Sequence, residues 1–181
     1  MKQTILAVTC LLLSLAKGYG QQYMTRSGFV GFYSKTPAED IKAETHQGYA
    51  IIDEAKKNLA FAVLIKGFMF PKELMQEHFN ENYMESDKFP KATFSGAYTG
   101  DVTAGKDGVY HVMVKGNLTM HGITKPVEVP ATIERKGGEL IGHASFHISP
   151  EDFNVSIPSL VREKIEKSLE VHVDIQCDQT K

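Results

Sequence analysis

Apolar and polar residues alternate along most of this chain. Between residues 110 and 120, Tyr110, Val112, Val114, Gly116, Leu118 and Met120 fall on one parity. His111, Lys115, Asn117 and Thr119 fall on the other, with Met113 the one apolar intruder. Val127, Val129, Ala131 and Ile133 then alternate with Glu128, Pro130, Thr132 and Glu134. A period of two marks strands with one buried face and one wet face. Two such runs joined by residues 121–125, with Gly122 marking the turn, predict an antiparallel hairpin. The first run would extend about 43 Å at roughly 3.3 Å per residue, more than a small sheet needs. A bend or bulge is therefore expected at Gly116, where no side chain resists it.

The same pattern recurs elsewhere. In residues 28–35 Val30 and Phe32 oppose Phe29 and Tyr33, after a polar lead-in over 21–27. Residues 47–53, 59–66, 92–99 and 139–148 read as further strands. Residues 38–43 fit either a helical turn or the start of a strand. The last run is the cleanest, with Leu169, Val171, Val173 and Ile175 facing in and Glu170, His172, Asp174 and Gln176 facing out. Pro71 suits the first position of the one clear helix, which carries Leu74, Met75, His78 and Phe79 on one face and Glu73, Glu77 and Glu81 on another. A second short helix is expected over about residues 160–167.

Roughly eight strands, each with an apolar face and joined by turns, predict a mainly β protein. The economical closure is an eight-stranded antiparallel barrel with one or two short helices, which removes exposed edges. An interior of that size is either filled by side chains or holds one small ligand. Inward Gly96, Gly116, Gly142 and Ala144 beside Phe32, Phe61, Phe94 and Phe146 suit a cavity, but parity alone leaves both readings open.

With 181 residues the chain suits one domain. Residues 1–20 read as a signal peptide: Lys2, a short apolar run over 4–15, and Gly18-Tyr19-Gly20 ahead of a cut near Gly20. The run is well short of the roughly 20 apolar residues a membrane span needs. Residues 21–181 then form an exported barrel domain, periplasmic or secreted. Its one cysteine, Cys177, is expected to be a free thiol, the alternative being a link between two chains. The net charge of −2 is interspersed, which speaks against a nucleic-acid partner.

Nothing has the spacing of a nucleophile elbow, a phosphate-binding glycine loop or a zinc-protease helix, so no catalytic residue, metal or cofactor is expected. His143 and His147 share a strand face but stand about 13 Å apart at roughly 3.3 Å per residue, too far to chelate one ion. His78 with Glu77 and Glu81 reads as a half-buried histidine beside solvated acids. The turn carrying His121, Thr124 and Lys125 offers hydrogen-bond donors to an anionic head group, or is a polar turn at the barrel rim.

Several segments resemble the YceI family of exported bacterial proteins. Residues 116–127 (GNLTMHGITKPV) resemble its G-x-L-T-hydrophobic-H-G-x-T-K-x-V segment. Residues 75–94 resemble its helix followed by a hydrophobic-Pro-x-A-x-F strand entry. Residues 23–34, 142–155 and 171–175 fall in order where its first, late and final strands lie. The resemblance implies a lipocalin-like barrel whose elongated apolar cavity binds a polyisoprenoid, such as an isoprenoid quinone or a prenyl pyrophosphate. It also implies export to the periplasm and often a homodimer; a transient membrane contact is compatible with it, and the sequence leaves transport, storage and protection open as roles. Residues 81–86 (ENYMES) depart from the family's commoner Arg-Ser-x-Asp-Phe pattern near the cavity entrance, which leaves the ligand's identity open.

With a lipid tail inside the barrel, parity and turn placement surround it with Val30, Phe32, Phe61, Val63 and Phe94 from the first strands. Val112, Leu118, Met120, Val129, Phe146 and Val171 follow from the later ones. Leu74, Phe79 and Tyr83 would cover one end, and His121, Thr124 and Lys125 would meet the head group. The expected function is non-enzymatic lipid binding. The alternatives are an enzyme acting on a lipid ester or lactone at the 121–125 turn, with Ser145 or Ser156 beside a histidine, and a solid-cored envelope or stress protein that binds partners on its surface.

Overall fold

The computed structural model describes residues 22–103 and 105–180. The expected signal peptide, residues 1–20, and its cleavage site lie outside the described residues. Eight strands close into one antiparallel barrel: β1 Gln22–Lys35, β2 Asp40–Asp53, β3 Asn58–Leu64, β4 Lys91–Thr99, β5 Gly108–Met120, β6 Ile123–Lys136, β7 Glu139–Ile148 and β8 Leu169–Gln179. Each strand pairs with the next, and β8 returns to β1, so every ladder is satisfied and no edge is left open.

The polar lead-in is part of β1. Between Thr25 and Val30 the register slips once against each strand of the β1–β2 pair. These irregularities shift the parity of β1, so that Tyr23 and Val30 are both buried although they stand an odd number of residues apart. A reading that holds one parity along the strand loses its first half there. β2 runs unbroken from Asp40, which settles residues 38–43 in favour of a strand start.

No bulge forms at Gly116. The β4–β5 and β5–β6 registers run through it without a shift. Instead Gly116 stands opposite Gly96. A Cβ added at Gly116 would lie 2.6 Å from the Gly96 Cα and 2.6 Å from the Phe94 ring, so the two glycines make room for that ring.

The two ends of the barrel differ. One carries the short turns β2–β3 and β6–β7 and the β4–β5 loop, and its interior is packed shut by Tyr23, Ile52, Tyr98, Val112, Ile133, Leu140 and Cys177. Cys177 continues the inward parity of β8 and is fully buried, so it is a free thiol of the core rather than of an exposed tail. The other end carries the long connections. Residues 65–90 hold a helix, α1 (Glu73–His78), that widens into a π turn, Phe79–Tyr83. Residues 149–168 hold two 3₁₀ turns, Pro150–Phe153 and Ser159–Lys164.

Two helix expectations change. Pro71 precedes the helix rather than opening it, because Lys72 keeps an extended backbone at the N-cap. The second helix is only the Ser159–Lys164 3₁₀ turn, which no side chain caps; Ile165 is already extended, and Ser34 Oγ accepts the Glu166 N–H at 2.8 Å.

Candidate functional site

A cavity of about 600 Å³ lies between the packed end and the long connections. It falls within the roughly 300–1,000 Å³ of small-molecule sites. Phe61, Phe94, Leu118 and Phe146 point inward yet stay only half-buried, because their inner surfaces face this space. The barrel is hollow at its middle.

The walls follow from cross-strand pairing. Phe61 on β3 stands opposite Phe94 on β4, Phe94 opposite Leu118 on β5, and Phe146 on β7 opposite Val171 on β8. Ile52, Tyr98 and Ile133 form the floor. Beneath it the Arg135 guanidinium pairs with the Glu54 carboxylate and donates to the Tyr23 hydroxyl at 3.0 Å, with both charged side chains almost fully buried. Burial, with Glu54 nearby, pushes the Tyr98 phenol up to about 12.

The lid is aromatic. Phe79 stacks on Phe32 at 5.4 Å and lies 5.0 Å from Phe70, and Phe68 packs against Phe32 at 5.3 Å. Pairs of this kind contribute about 0.5–1.5 kcal/mol each beyond their buried area. The π turn closes with the Met84 N–H donating to the Phe79 carbonyl at 2.9 Å, and Phe79, Tyr83 and Met84 all line the cavity.

The structure sets Val30, Phe32, Phe61, Val63, Leu74, Phe79 and Tyr83 around this space, together with Phe94, Leu118, Met120, Val129, Phe146 and Val171. Val112 is the exception. It points inward but belongs to the packed end, where it is buried against Tyr98 and Ile133 below the floor. The sequence reading missed Ile65, Phe68 and Phe70. Their signal was present in the alternation of Phe68 and Phe70 with Met69, a segment that β2 takes up through a Glu44–Met69 bridge.

The proposed head-group residues sit elsewhere. Met120 pairs with Ile123, so the hairpin turn is the dipeptide His121-Gly122, with φ of 50° and 76°. Positive φ at both positions defines the tight turn that suits a twisted hairpin. Thr124 Oγ1 lies 2.8 Å from Thr119 Oγ1, and Lys125 faces Asp152 at 3.9 Å. His121 has Nδ1 3.1 Å from the Phe153 carbonyl and Nε2 2.9 Å from Glu85, and its ring packs on Phe89. None of the three lines the cavity. The turn fastens the lid to the rim. Ser145 Oγ donates to Glu170 at 3.4 Å, and among the described residues no hydrogen bond joins Ser145 or Ser156 to a histidine.

The charged residues at the mouth are instead Glu39, Lys72 and Lys164, brought together from the β1–β2 turn, the lid and the segment before β8. Lys72 Nζ donates to Glu39 Oε1 at 2.7 Å, and Lys164 Nζ lies 3.8 Å from Oε2. The hydrogen bond from Lys72, with Lys164 beside it, holds the Glu39 carboxyl below its ordinary value.

A model of the YceI-like domain matches residues 27–177. Two UPF0312 proteins, from Pseudomonas putida strains F1 and KT2440, are 32% identical over 99 residues. That match covers 50% of this chain and 47% of each relative, so the chain spans about half the length of the curated relatives it matches. Among solved structures, Burkholderia cenocepacia BcnA superposes with a TM-score of 0.68 at 19% identity, over 83% of this chain and 95% of that one. A polyisoprenoid-binding domain from Saccharophagus degradans, implicated in plant cell wall breakdown, gives 0.73 at 12% identity, over 88% and 99%. The Campylobacter jejuni YceI protein gives 0.60 at 15% identity, over 77% and 84%. These likenesses establish a shared fold.

Proposed function

The chain belongs to the YceI-like domain family, and from that premise we propose that it is a non-enzymatic binding protein that holds the tail of a polyisoprenoid lipid in its barrel. The observation that carries this is the division of the cavity: apolar side chains from all eight strands and the lid surround it, and its charged side chains gather at the mouth. The Saccharophagus domain with the same fold is described as polyisoprenoid-binding, which supports the class of ligand. An isoprenoid tail suits such a space because its affinity comes from area removed from water. Burying one isoprene unit supplies roughly 3–4 kcal/mol at about 0.8 kcal/mol per methylene-sized group, before ordering costs. The proposal places the mature chain outside the cytoplasm, after removal of residues 1–20, where it carries or stores the lipid.

Native mass spectrometry of the mature protein, purified without detergent from its own envelope, tests both parts. The expected result is a chain beginning near Gln21 with one isoprenoid bound in stoichiometric amount. A clean apo mass, with no uptake of added polyprenol or isoprenoid quinone, would overturn the binding reading. Phe94→Asp sets a charge against the wall of the cavity and is expected to lose the retained lipid while the barrel still folds. A folded variant that kept its lipid would place the ligand elsewhere.

A further inference from the structure

We propose that the His121–Glu85 contact is a proton-operated latch: with a proton between the two side chains the lid is fastened to the barrel rim, and without it the lid loosens over the cavity. The donors and acceptors require this proton. Nδ1 lies 3.1 Å from the Phe153 carbonyl, which only accepts, so this nitrogen donates. Nε2 lies 2.9 Å from Glu85 Oε2. A neutral imidazole carries one N–H, and with that N–H spent on Phe153 its Nε2 lone pair would face the lone pairs of a carboxylate. The other tautomer moves the same conflict to the carbonyl. One further proton satisfies both contacts, and the imidazole, ordinarily the stronger base of the pair, takes it. Histidine is also the side chain whose charge ordinarily changes between about pH 5 and 8.

The surroundings make this contact a switch rather than a surface ion pair. The His121 side chain is only 10% exposed, and its ring packs on Phe89 of the lid at 4.6 Å. The charged groups on the elements around it are Glu85 and Lys88 of the lid, Lys125 of β6, and Glu151 and Asp152 of the Pro150–Phe153 turn. Lys88 stands 3.8 Å from Glu85 and Lys125 3.9 Å from Asp152, so Glu85 is the carboxylate that reaches the ring. Three left-handed backbone positions converge here: Glu85 at φ 43°, His121 at 50°, and Asn154, the residue after Phe153, at 56°. A glutamate in that region is uncommon and persists where surrounding contacts hold it. Glu85 follows directly on Tyr83 and Met84, which line the cavity. Loss of the proton therefore frees the part of the lid that stands over the ligand space.

The latch stands on its own geometry, and its consequence for ligand exchange rests on the cavity reading. Amide exchange of the mature protein at about pH 5.5 and about pH 8, expressed as protection relative to an unstructured chain at each pH, reads the latch without any ligand. Protection at residues 84–89 is expected to fall about tenfold at the higher pH, the worth of one charge-assisted hydrogen bond, while β4 and β5 keep theirs. Glu85→Gln separates this from a merely structural role. An amide donates its own N–H to a neutral Nε2, so this variant should keep its lid protected at both pH values. His121→Ala should be poorly protected at both. Nitrogen NMR of the His121 ring in the wild-type protein needs no variant to fold, and should show both ring nitrogens protonated at the lower pH and one at the higher. Release of a bound fluorescent polyprenol should quicken by a similar factor over the same rise in pH, and not in Glu85→Gln. Wild-type protection that does not change with pH, or that changes equally in Glu85→Gln or across the whole barrel, would overturn the latch. Protection that changes while polyprenol release does not would overturn its role as a gate. A protein that binds no polyprenol would overturn the cavity reading and leave amide exchange to decide the latch.

Discussion

At the residue scale, parity was a good guide to direction and a poor one to depth. Phe94, Leu118 and Phe146 were legible because alternation says which way a strand residue points. Val112 obeys the same alternation, yet lies below the floor, because nothing local states how far along the barrel axis the packing closes. Glu39, Lys72 and Lys164 were illegible for a different reason: they are far apart in sequence and meet only when the barrel shuts. The glycine pair shows what direction alone conceals. Gly116 read as a bend and Gly96 as a small inward position, but both are smooth ladder positions kept bare so that the strands and the Phe94 ring can approach. A Cβ at Gly96 would stand 2.7 Å from the Gly116 Cα. Gly116→Ala is therefore expected to destabilise the fold by about 1–3 kcal/mol, the usual cost of overpacking. Urea unfolding measures it, and a loss below about 0.5 kcal/mol would mean that the strands separate freely.

At the scale of elements, the strands were legible and the connections were not. Short apolar alternation reports a strand wherever it falls. A two-residue turn with positive φ usually carries Asn, Asp or Gly at its first position, so His121 disguised the tight hairpin as a longer link. The histidine is there for its contacts. It joins the β5–β6 turn to Glu85 and to the Pro150–Phe153 turn, and thereby ties three pieces of the rim together. The lid has other anchors, including the Ile65 N–H to Pro90 carbonyl bond at 2.9 Å and the Phe32–Phe79 stack. His121→Ala should leave the barrel folded but loosen the segment that Glu85 belongs to. Amide exchange at residues 84–89 is expected to quicken by about tenfold, the equivalent of roughly 1.4 kcal/mol of lost contact. Exchange in β4 and β5 should stay within a factor of two or so. Uniform acceleration would mean instead that the histidine supports the whole fold.

For the whole molecule, the decisive feature is that the barrel is closed at one end by charge and packing and covered at the other by a lid. The closed end sets a pH limit. Burial pushes the Cys177 thiol up to about 12 from about 9, and the Tyr98 phenol up to about 12 from about 10. Each raised value means that the native state keeps a proton that the unfolded chain releases. Their contribution is complete below about pH 9, declines as the thiol and then the phenol would ionise, and is gone by about pH 12. Thermal unfolding should therefore move to lower temperature above pH 9, while Cys177 stays unreactive to a thiol reagent in the native protein at pH 8.

The same end depends on the Arg135–Glu54 pair. Glu54→Ala would leave a buried guanidinium without its partner and is expected to cost about 3–5 kcal/mol. Replacing both residues with well-packed apolar side chains should cost much less, because no charge is then stranded. Ile52, Tyr98 and Ile133 line the cavity above the pair, so on the proposed function a Glu54→Ala protein that remains folded should bind a polyisoprenoid as tightly as the unaltered chain does. Reduced stability with unchanged lipid affinity would show that the floor supports the site without forming part of it. A matching loss of affinity would show that the tail reaches through the floor to the charges beneath.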